Sequence, residues 1–255
     1  PPPDRPWIFS NFVQSLDGIA SFLGKYALGS HISRSAEDRW LMDLLRVHAD
    51  AILLGLGTLV AETALVGRGG PVYEAEDAEL LDLRQHLGRG RQCNIFVTGS
   101  GNLDVSGYSV FDGQRVDTAI VTTRRGARRL RAVPAHVRVI TAGEDLFVDL
   151  PQAMALLHEQ IAIRYLLCEG GPTLNGHLSR AGLLDERFLT ISPIEVGQMV
   201  PAEQPPSELE KGHPPRLRPT TFQAPGFTPD NAPLWRWLSC RRVGNHQFNR
   251  YRRQR

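Results

Sequence analysis

Apolar runs of strand length alternate along this chain with stretches in which apolar residues recur at helical spacing. The strand-like runs lie at 7–13, 49–54, 94–98, 118–122, 137–141, 165–168 and 187–193, and helical spacing is found at 36–48, 59–64, 150–161 and 174–181. Short continuous apolar runs are typical of strands buried on both faces, and strands that alternate with helices form mainly parallel sheets. The pattern predicts an α/β fold with three layers, α/β/α, around a mostly parallel mixed sheet.

The C-terminal part of the chain follows a different pattern. Residues 201–233 are rich in Pro and lack periodicity, which predicts a loop excursion. The segments 234–242 and 247–253 alternate polar and apolar residues around a turn at 243–246, and this pattern predicts a β-hairpin. We therefore expect one domain over 1–255, in which the C-terminal hairpin (234–255) adds antiparallel strands to the edge of the sheet.

Composition narrows the class of protein. The chain has 255 residues, of which 42% are hydrophobic, enough for a sizeable core, and its net charge is only +2. That small charge argues against a nucleic-acid partner, although six arginines and no carboxylate follow position 240. Because these arginines alternate along a predicted strand, we expect them to line a wet sheet face or a subunit contact.

Cysteine use, hydropathy and histidine spacing favour a cytoplasmic protein without a metal. The three cysteines lie far apart, which favours free thiols in a reducing compartment. No apolar run approaches the roughly 20 residues of a membrane span, and the first residues do not resemble a signal peptide. The eight histidines show no ligand spacing, so we predict no metal.

Two glycine turns stand between a predicted buried strand and a predicted helix. The first is Gly55-Leu56-Gly57-Thr58, and the second is Gly170-Gly171-Pro172-Thr173. Small residues at a helix N-terminus let phosphate groups approach backbone N–H groups, and Pro suits the first helical position. Neither turn matches the six-residue Rossmann pattern or a P-loop. Alone, the first turn is as compatible with an ordinary strand-to-helix connection as with a phosphate site, but two such turns can hold both ends of a dinucleotide.

Two carboxylates lie at the ends of predicted strands. Asp17 belongs to the turn Ser15-Leu16-Asp17-Gly18 after the first strand, where the alternative is an ordinary Asp-Gly turn. Glu169 lies between an apolar strand and the glycine pair, which holds it near the crevice where open α/β sheets bind ligands. We take Asp17 and Glu169 as candidates for orienting a substrate or stabilising a developing positive charge.

Five short motifs follow one another along the chain: Ser15-Leu16-Asp17-Gly18, Leu44-Leu45-Arg46, the run from Asp50 to Thr58, the run from Glu169 to Leu174, and Gly182-Leu183-Leu184-Asp185-Glu186. In their order and approximate spacing they resemble the pyrimidine reductase domain of riboflavin biosynthesis, a dihydrofolate-reductase-like family. The resemblance covers roughly 7–197. It implies NADPH-dependent reduction of the ribosyl group of 5-amino-6-(5-phosphoribosylamino)uracil, or of a related heterocycle, through an open-chain imine. It also implies a homodimer.

The resemblance assigns roles to individual residues. The cofactor-binding residues that it implies are Gln14, Gly55, Gly57, Thr58, Glu62, Ser100, Gly170, Gly171, Pro172, Thr173 and Leu174. The substrate-binding residues are Ser15, Arg46, Arg68 and Glu169, and the two arginines fall where the family binds the substrate's phosphate. An arginine fork suits a phosphate monoester.

Thr122 and Arg124 are further candidates for cofactor binding. They follow the strand 118–122 and can hold the 2′-phosphate that distinguishes NADP from NAD. A solvated turn, with further arginines at Arg128, Arg129 and Arg131, is an equally good interpretation.

The chain departs from the family pattern after the first glycine turn. Glu62 and Ala64 stand where the family usually has Asp and Pro, and Arg68 lies one residue closer than expected. These departures leave open a reductase of dihydropterin or dihydrofolate type, or a non-catalytic nucleotide-binding protein that keeps the fold. The zinc-deaminase signature of the bifunctional bacterial enzymes is absent from the sequence, so we expect at most the reductase half.

Overall fold

The computed structural model describes residues 1–200 and 217–254, which contain one nine-stranded sheet with helices on its faces. The strands are β1 (Trp7–Gln14), β2 (Ala51–Gly55), β3 (Cys93–Thr98), β4 (Asp117–Thr122), β5 (Arg138–Thr141), β6 (Tyr165–Gly170), β7 (Glu186–Ile191), β8 (Trp235–Val243) and β9 (His246–Arg253). The helices are α1 (Ser30–Ser33), α2 (Ala36–His48), α3 (Leu56–Val66), α4 (Ala78–His86), α5 (Arg124–Ala127), α6 (Leu150–Ile161) and α7 (Pro172–Arg180). Short 3-10 turns lie at Gly24–Tyr26, Val105–Gly107 and Ser109–Phe111.

The sheet is mixed, with the order β5-β4-β3-β2-β6-β1-β7-β9-β8. Strands β1 to β7 pair in parallel, and the hairpin β8–β9 joins β7 in antiparallel orientation. This arrangement confirms the predicted α/β class with a mostly parallel mixed sheet and a C-terminal antiparallel hairpin.

Two hydrophobic clusters lie on opposite faces of the sheet. One packs α6 and α7 against alternate residues of the parallel strands, with Ile8, Leu53 and Leu166 at its centre. The other covers the opposite face through α2 and α3 and is built around residues such as Phe96 and Leu167. Leu166 and Leu167 are consecutive residues of β6 and are both fully buried, which explains why this strand is apolar without alternation.

All seven parallel strands end at the same edge of the sheet. Strand β6 lies between β1 and β2, although more than a hundred residues separate it from either strand along the chain. Open α/β sheets bind ligands at the carboxyl ends of their strands, close to the point where the strand order reverses. The ends of β1, β2 and β6 therefore define the place where a ligand site is expected.

The structure also shows elements that the hydrophobic pattern did not predict. Helix α4 begins after Asp77, whose side chain accepts a hydrogen bond from the backbone N–H of Leu80, and it packs on α2 instead of the sheet. Helix α3 begins three residues before the predicted 59–64. Of the predicted excursion over 201–233, residues 201–216 lie outside the described residues, and 217–233 contain only turns and isolated bridges. No helix in the described ranges is long and apolar enough to cross a membrane.

Candidate active site

The two glycine turns predicted from sequence lie side by side. Gly55 is the N-cap of α3 and Gly171 is the N-cap of α7, and the strands that precede them, β2 and β6, are neighbours in the sheet. A Cβ atom built on Gly55 would lie 3.7 Å from the backbone nitrogen of Gly171. Two helix N-termini, each with unpaired N–H groups and a partial positive charge, thus meet at one edge of the sheet.

Backbone conformation and close packing explain why glycines occupy these turns. Gly170 has φ = 128°, a value that L-residues rarely adopt, and the Gly170–Gly171 peptide bond is cis. A Cβ atom on Gly171 would lie 3.0 Å from the hydroxyl oxygen of Thr58. A Cβ atom on Gly57 would have no heavy atom within 4 Å in the described structure. A phosphate group can therefore approach the backbone at Gly57, while Gly170 and Gly171 are required by the turn itself.

The remaining residues of the second turn differ in exposure. Pro172 occupies the first position of α7, where a missing N–H is tolerated. Thr173 is exposed in the first helical turn, whereas Leu174 is buried in the core cluster beneath it. Thr173 can therefore contact a ligand through its side chain, and Leu174 contributes to packing.

Arg46 and Glu169 form a buried ion pair behind the glycine turns. The Nε and Nη2 atoms of Arg46 each donate to one carboxylate oxygen of Glu169 at 2.7 Å, and both side chains are 7% exposed. The Nη1 atom of Arg46 donates to the carbonyl oxygen of Glu74, and Asp43 lies 3.6 Å away. Sequence placed both residues in the substrate site; the structure brings them together and satisfies the guanidinium within the protein.

Glu62 extends this cluster from α3. Its Oε2 atom accepts a hydrogen bond of 2.8 Å from the hydroxyl group of Tyr73. Burial is the largest cause of a raised pKa at Glu62, and the neighbouring Glu169 carboxylate raises this pKa further. The hydrogen bond from Tyr73 and the charge of Arg46 lower the pKa but do not cancel the increase. Tyr73 could not be singled out from the sequence, because a tyrosine in an irregular segment gives no indication of which residue it will contact.

Asn11 is a further residue that the sequence did not single out. It follows Ser10, which pairs with Cys168, so it lies on β1 one residue beyond the last position paired with β6. Its Oδ1 atom is buried and has no hydrogen-bond partner among the described residues. Since buried polar atoms are normally paired, Asn11 offers a free acceptor at this edge of the sheet. The only sequence signal is a polar residue inside an apolar strand.

Ser15 and Asp17 organise the loop after β1. The hydroxyl group of Ser15 donates to Asp17 at 2.5 Å and accepts from the N–H of Ile19. The Asp17 carboxylate also accepts from the N–H groups of Val196 and Gly197. Although desolvation acts in the opposite direction, the hydrogen bonds from Ser15, Gly197 and Val196 lower the pKa of Asp17. Asp17 is thus an ionised carboxylate that joins two loops.

A third region lies beyond the ends of β3 and β4. Ser100, Asn102, Arg129 and Arg131 line an open cavity of about 490 Å³. The loops around this cavity pack closely where they contain glycine, since a Cβ atom on Gly101 would lie 1.9 Å from the carbonyl oxygen of Gly126. Here the structure groups Ser100, a sequence candidate, with two arginines that had only been noted as members of a solvated turn.

The structure places the other predicted residues separately. Gln14 is the last residue of β1 and is half-buried. Thr122 is fully buried at the end of β4, and Arg124 is exposed and lies 3.2 Å from Glu144. Arg68 is exposed in the loop after α3 and has no side-chain partner within the described ranges.

Comparison with known proteins identifies the relatives of this chain. The model of the RibD C-terminal domain family matches residues 6–226. A relative from Archaeoglobus fulgidus, named 2,5-diamino-6-ribosylamino-4(3H)-pyrimidinone 5′-phosphate reductase, is 30% identical over 76% of this chain and 83% of its own length. A protein of the same name from Methanothermobacter thermautotrophicus is 28% identical over 76% of this chain and 80% of its own length.

A solved structure shares the fold. The deaminase/5-amino-6-(5-phosphoribosylamino)uracil reductase of Thermotoga maritima aligns with a TM-score of 0.71 and 16% identity. The alignment covers 98% of this chain and 57% of the bifunctional Thermotoga protein. The chain therefore corresponds in length to little more than half of that protein.

Proposed function

This chain belongs to the RibD C-terminal domain family, and we propose that it reduces a ribosylaminopyrimidine 5′-phosphate with NADPH as the hydride donor. The observation that carries the proposal is the contact between the two glycine turns at the ends of β2 and β6. It supplies two adjacent helix N-termini for a pyrophosphate group, in a chain whose matched relatives are named as reductases of such a pyrimidine.

The preferred substrate has a 2,5-diaminopyrimidinone base. Both curated relatives carry the name of the 2,5-diamino-6-ribosylamino-4(3H)-pyrimidinone 5′-phosphate reductase, whereas the sequence resemblance had led us to expect the deaminated uracil compound. The two compounds share the ribosylamino group and the phosphate, so the reduction is the same and only the base differs.

The residues at the sheet edge fit NADPH. The N–H groups that begin α3 and α7 are placed for the pyrophosphate, and Gly57 leaves the backbone approachable. Arg129 and Arg131, with Ser100 and Asn102, provide positive charge and hydrogen-bond donors for the 2′-phosphate that distinguishes NADPH from NADH. This assignment replaces Arg124 as our preferred contact, because Arg124 already lies against Glu144.

The chain itself binds, orients and shields the reactants. NADPH, when bound, supplies a hydride to the carbon of a carbon–nitrogen double bond. Gln14 at the end of β1 and Asn11 within the same strand orient the groups that react, and Asn11 offers its unpaired amide oxygen. Of the two arginines expected to bind the substrate's phosphate, Arg68 has available donors, while those of Arg46 hold Glu169. Positioning of this kind can supply much of the rate enhancement.

The proposal is tested by following NADPH oxidation with the purified chain and the diaminopyrimidinone substrate. We expect turnover with formation of the ribityl compound, slower turnover of the uracil compound, and a strongly raised KM for the dephosphorylated substrate. Dihydrofolate and a dihydropterin serve as comparison substrates. Preferential reduction of either comparison substrate would replace the proposal with a pterin-type reductase, and NADPH binding without turnover of any of them would favour a non-catalytic protein.

A further inference from the structure

We propose that Glu62 is the acid that delivers a proton to the substrate's nitrogen when the carbon–nitrogen double bond is reduced. The inference rests on the proposed function, because it names the proton donor of the same reaction. It follows from the position of Glu62 on α3, from the charges around it and from its single hydrogen bond within the described residues.

Helix geometry places Glu62 beside the site. Thr58 faces the second glycine turn, since its hydroxyl oxygen would lie 3.0 Å from a Cβ atom on Gly171. Glu62 is four residues further along α3, so it lies on the same side of the helix and one turn deeper. Its electrostatic neighbours, Glu169 and Arg46, lie at the end of β6 and on α2. Glu62 therefore belongs to the buried cluster of Arg46 and Glu169, one helical turn below the glycine turns.

The charge balance around Glu62 favours its neutral form. Arg46 is the cation that the buried cluster contains, and two of its nitrogen atoms already bind the Glu169 carboxylate. Asp43 lies near the same guanidinium. Asp43 also pairs with the half-exposed Arg39 at 3.9 Å, so of the three carboxyl groups Glu62 is the one that forms no ion pair within the described structure. An unpaired carboxylate in a partly buried place next to another carboxylate is held protonated more readily than one in water.

The direction of the pKa shift agrees with this charge balance. Burial is the largest cause and raises the pKa of Glu62, and the Glu169 carboxylate raises it further. Tyr73, which faces Glu62 from the loop after α3, and Arg46, from α2, act in the opposite direction and do not cancel the increase. Of the other two carboxylates predicted to act on the substrate, Asp17 has hydrogen bonds that outweigh desolvation and lower its pKa, and Glu169 is held in an ion pair with Arg46.

A rigid support holds the Glu62 carboxyl group in place. The Tyr73 hydroxyl group donates to Oε2, which leaves Oε1 to carry the transferable proton. Tyr73 is itself fixed by Asn94 of β3, whose side-chain amide accepts from the Tyr73 N–H and donates to the Tyr73 carbonyl oxygen. Asn94 is fully buried. One oxygen of Glu62 is thus anchored to the sheet, and the other remains available for chemistry.

The proposed step balances. The hydride and its electron pair pass from the dihydronicotinamide carbon of NADPH to the imine carbon, and the carbon–nitrogen π bond breaks toward nitrogen. The O–H bond of Glu62 breaks as a new N–H bond forms, so the products are a secondary amine, NADP⁺ and the Glu62 carboxylate. Glu62 then takes a proton from water before the next turnover.

The first test measures protonation on the protein alone. Infrared spectra recorded during a pH titration should show a protonated-carboxyl carbonyl band that persists above the pH at which an exposed glutamate ionises, and Glu62→Gln should abolish that persistent band. Glu159→Gln is the matched control, because Glu159 is exposed on α6 and has no partner in the described residues. If the unmodified chain loses all of its carboxylic-acid band at the pH where an exposed glutamate ionises, Glu62 does not keep its proton and the proposal is overturned.

The second test measures the pH profile of kcat. We expect kcat of the unmodified chain to fall as pH rises through the raised pKa of Glu62. Glu62→Gln should lower kcat by about 10²- to 10⁴-fold, as for other general acids, and should remove this alkaline limb. Tyr73→Phe should move the limb to higher pH, because the lost hydrogen bond favoured the ionised form. A structural role for Tyr73 would not move the limb in that direction.

The two tests separate this proposal from the proposed function. If the chain reduces the substrate and Glu62→Gln has an unchanged kcat and pH profile, Glu62 is not the acid although the reductase assignment holds. If no substrate is reduced, the infrared measurement still decides whether Glu62 carries a proton, and the reductase assignment fails on its own assay.

Discussion

At the scale of single residues, Asp17 and Arg218 both form hydrogen bonds with the backbone of residues 196–199. The Asp17 carboxylate accepts from the N–H groups of Val196 and Gly197, and Arg218 donates to the carbonyl oxygens of Val196, Gly197 and Met199. Arg218 is 9% exposed and lies over the ring of Phe22. The loop that follows Gln14 at the end of β1 is therefore linked by hydrogen bonds to the loop after β7.

Replacing Arg218 tests how much these hydrogen bonds contribute to stability. Arg218→Met keeps much of the apolar stem but leaves three carbonyl oxygens without their donor, so we expect the free energy of unfolding to fall by about 3 kcal/mol. Urea denaturation measures the change. Arg128→Met, at an exposed position directly after α5, is the control. Equal stability of Arg218→Met and the unmodified chain would show that the loops do not depend on this contact.

Asp17 adds a pH dependence to the same contact. Its pKa is lower in the folded chain than the usual 3.8, so its contribution to stability is present above that pH and is lost as pH falls through the folded pKa. The difference in stability between the unmodified chain and Asp17→Asn should therefore shrink as the pH is lowered below 3.8. If this difference in stability does not change with pH, the ionised form of Asp17 does not stabilise the fold.

Several candidate site residues could be singled out from the sequence, but their partners could not. The glycine turns were predictable because glycine between a strand and a helix is a local signal, and Gly55 and Gly171 do cap α3 and α7. The pairing of Arg46 with Glu169 was not, because the two residues are 123 positions apart and no local pattern links them. The same limit applies to Glu62 with Tyr73, and to the grouping of Ser100 with Arg131.

At the scale of secondary structure, the hydrophobic pattern predicted the elements that pack on the sheet. Strands β2, β3, β4 and β6 and the helices α2, α6 and α7 bury most of their apolar residues, which produces a clear hydrophobic pattern. Helix α4 was missed because it packs on α2 and contributes only Leu80 to the buried apolar residues. A helix that covers a small patch need not show a regular apolar stripe.

The C-terminal hairpin leaves one edge of the sheet open. Strand β8 is the last strand of the sheet, and Leu234 and Trp237 are 70% and 59% exposed. A strand edge with unpaired backbone groups and exposed apolar side chains can pair with another chain. The family resemblance led us to expect that this partner is a second copy of the same chain. The homodimer remains a prediction, and β8 is where we place its interface.

A charge on β8 tests that placement. Trp237→Lys should shift the chain from dimer toward monomer in sedimentation equilibrium, because burying an unpaired charge at an interface is costly. Val139→Lys is the matched control, since Val139 is 39% exposed on β5, the strand at the opposite edge. A monomeric unmodified chain would contradict the predicted dimer, and a Trp237→Lys dimer would move the interface elsewhere.

At the scale of the whole molecule, strand order assembles the site. The class of fold follows from alternating strands and helices, but the insertion of β6 between β1 and β2 joins segments far apart in sequence and leaves no local signal. That insertion brings Asn11, Glu169 and the two glycine turns to one edge. For this reason the resemblance to a known family, and not periodicity, carried the functional prediction.

The central claim is that this edge binds NADPH, and a titration of the purified chain with NADPH and NADH tests it most directly. We expect NADPH to bind with a lower Kd than NADH, and Arg129→Ala with Arg131→Ala to remove most of that difference while NADH binding persists. Arg124→Ala should leave the preference unchanged, because Arg124 lies against Glu144. If the unmodified chain binds neither nucleotide, the two glycine turns are not a dinucleotide site and the proposed reductase activity is wrong.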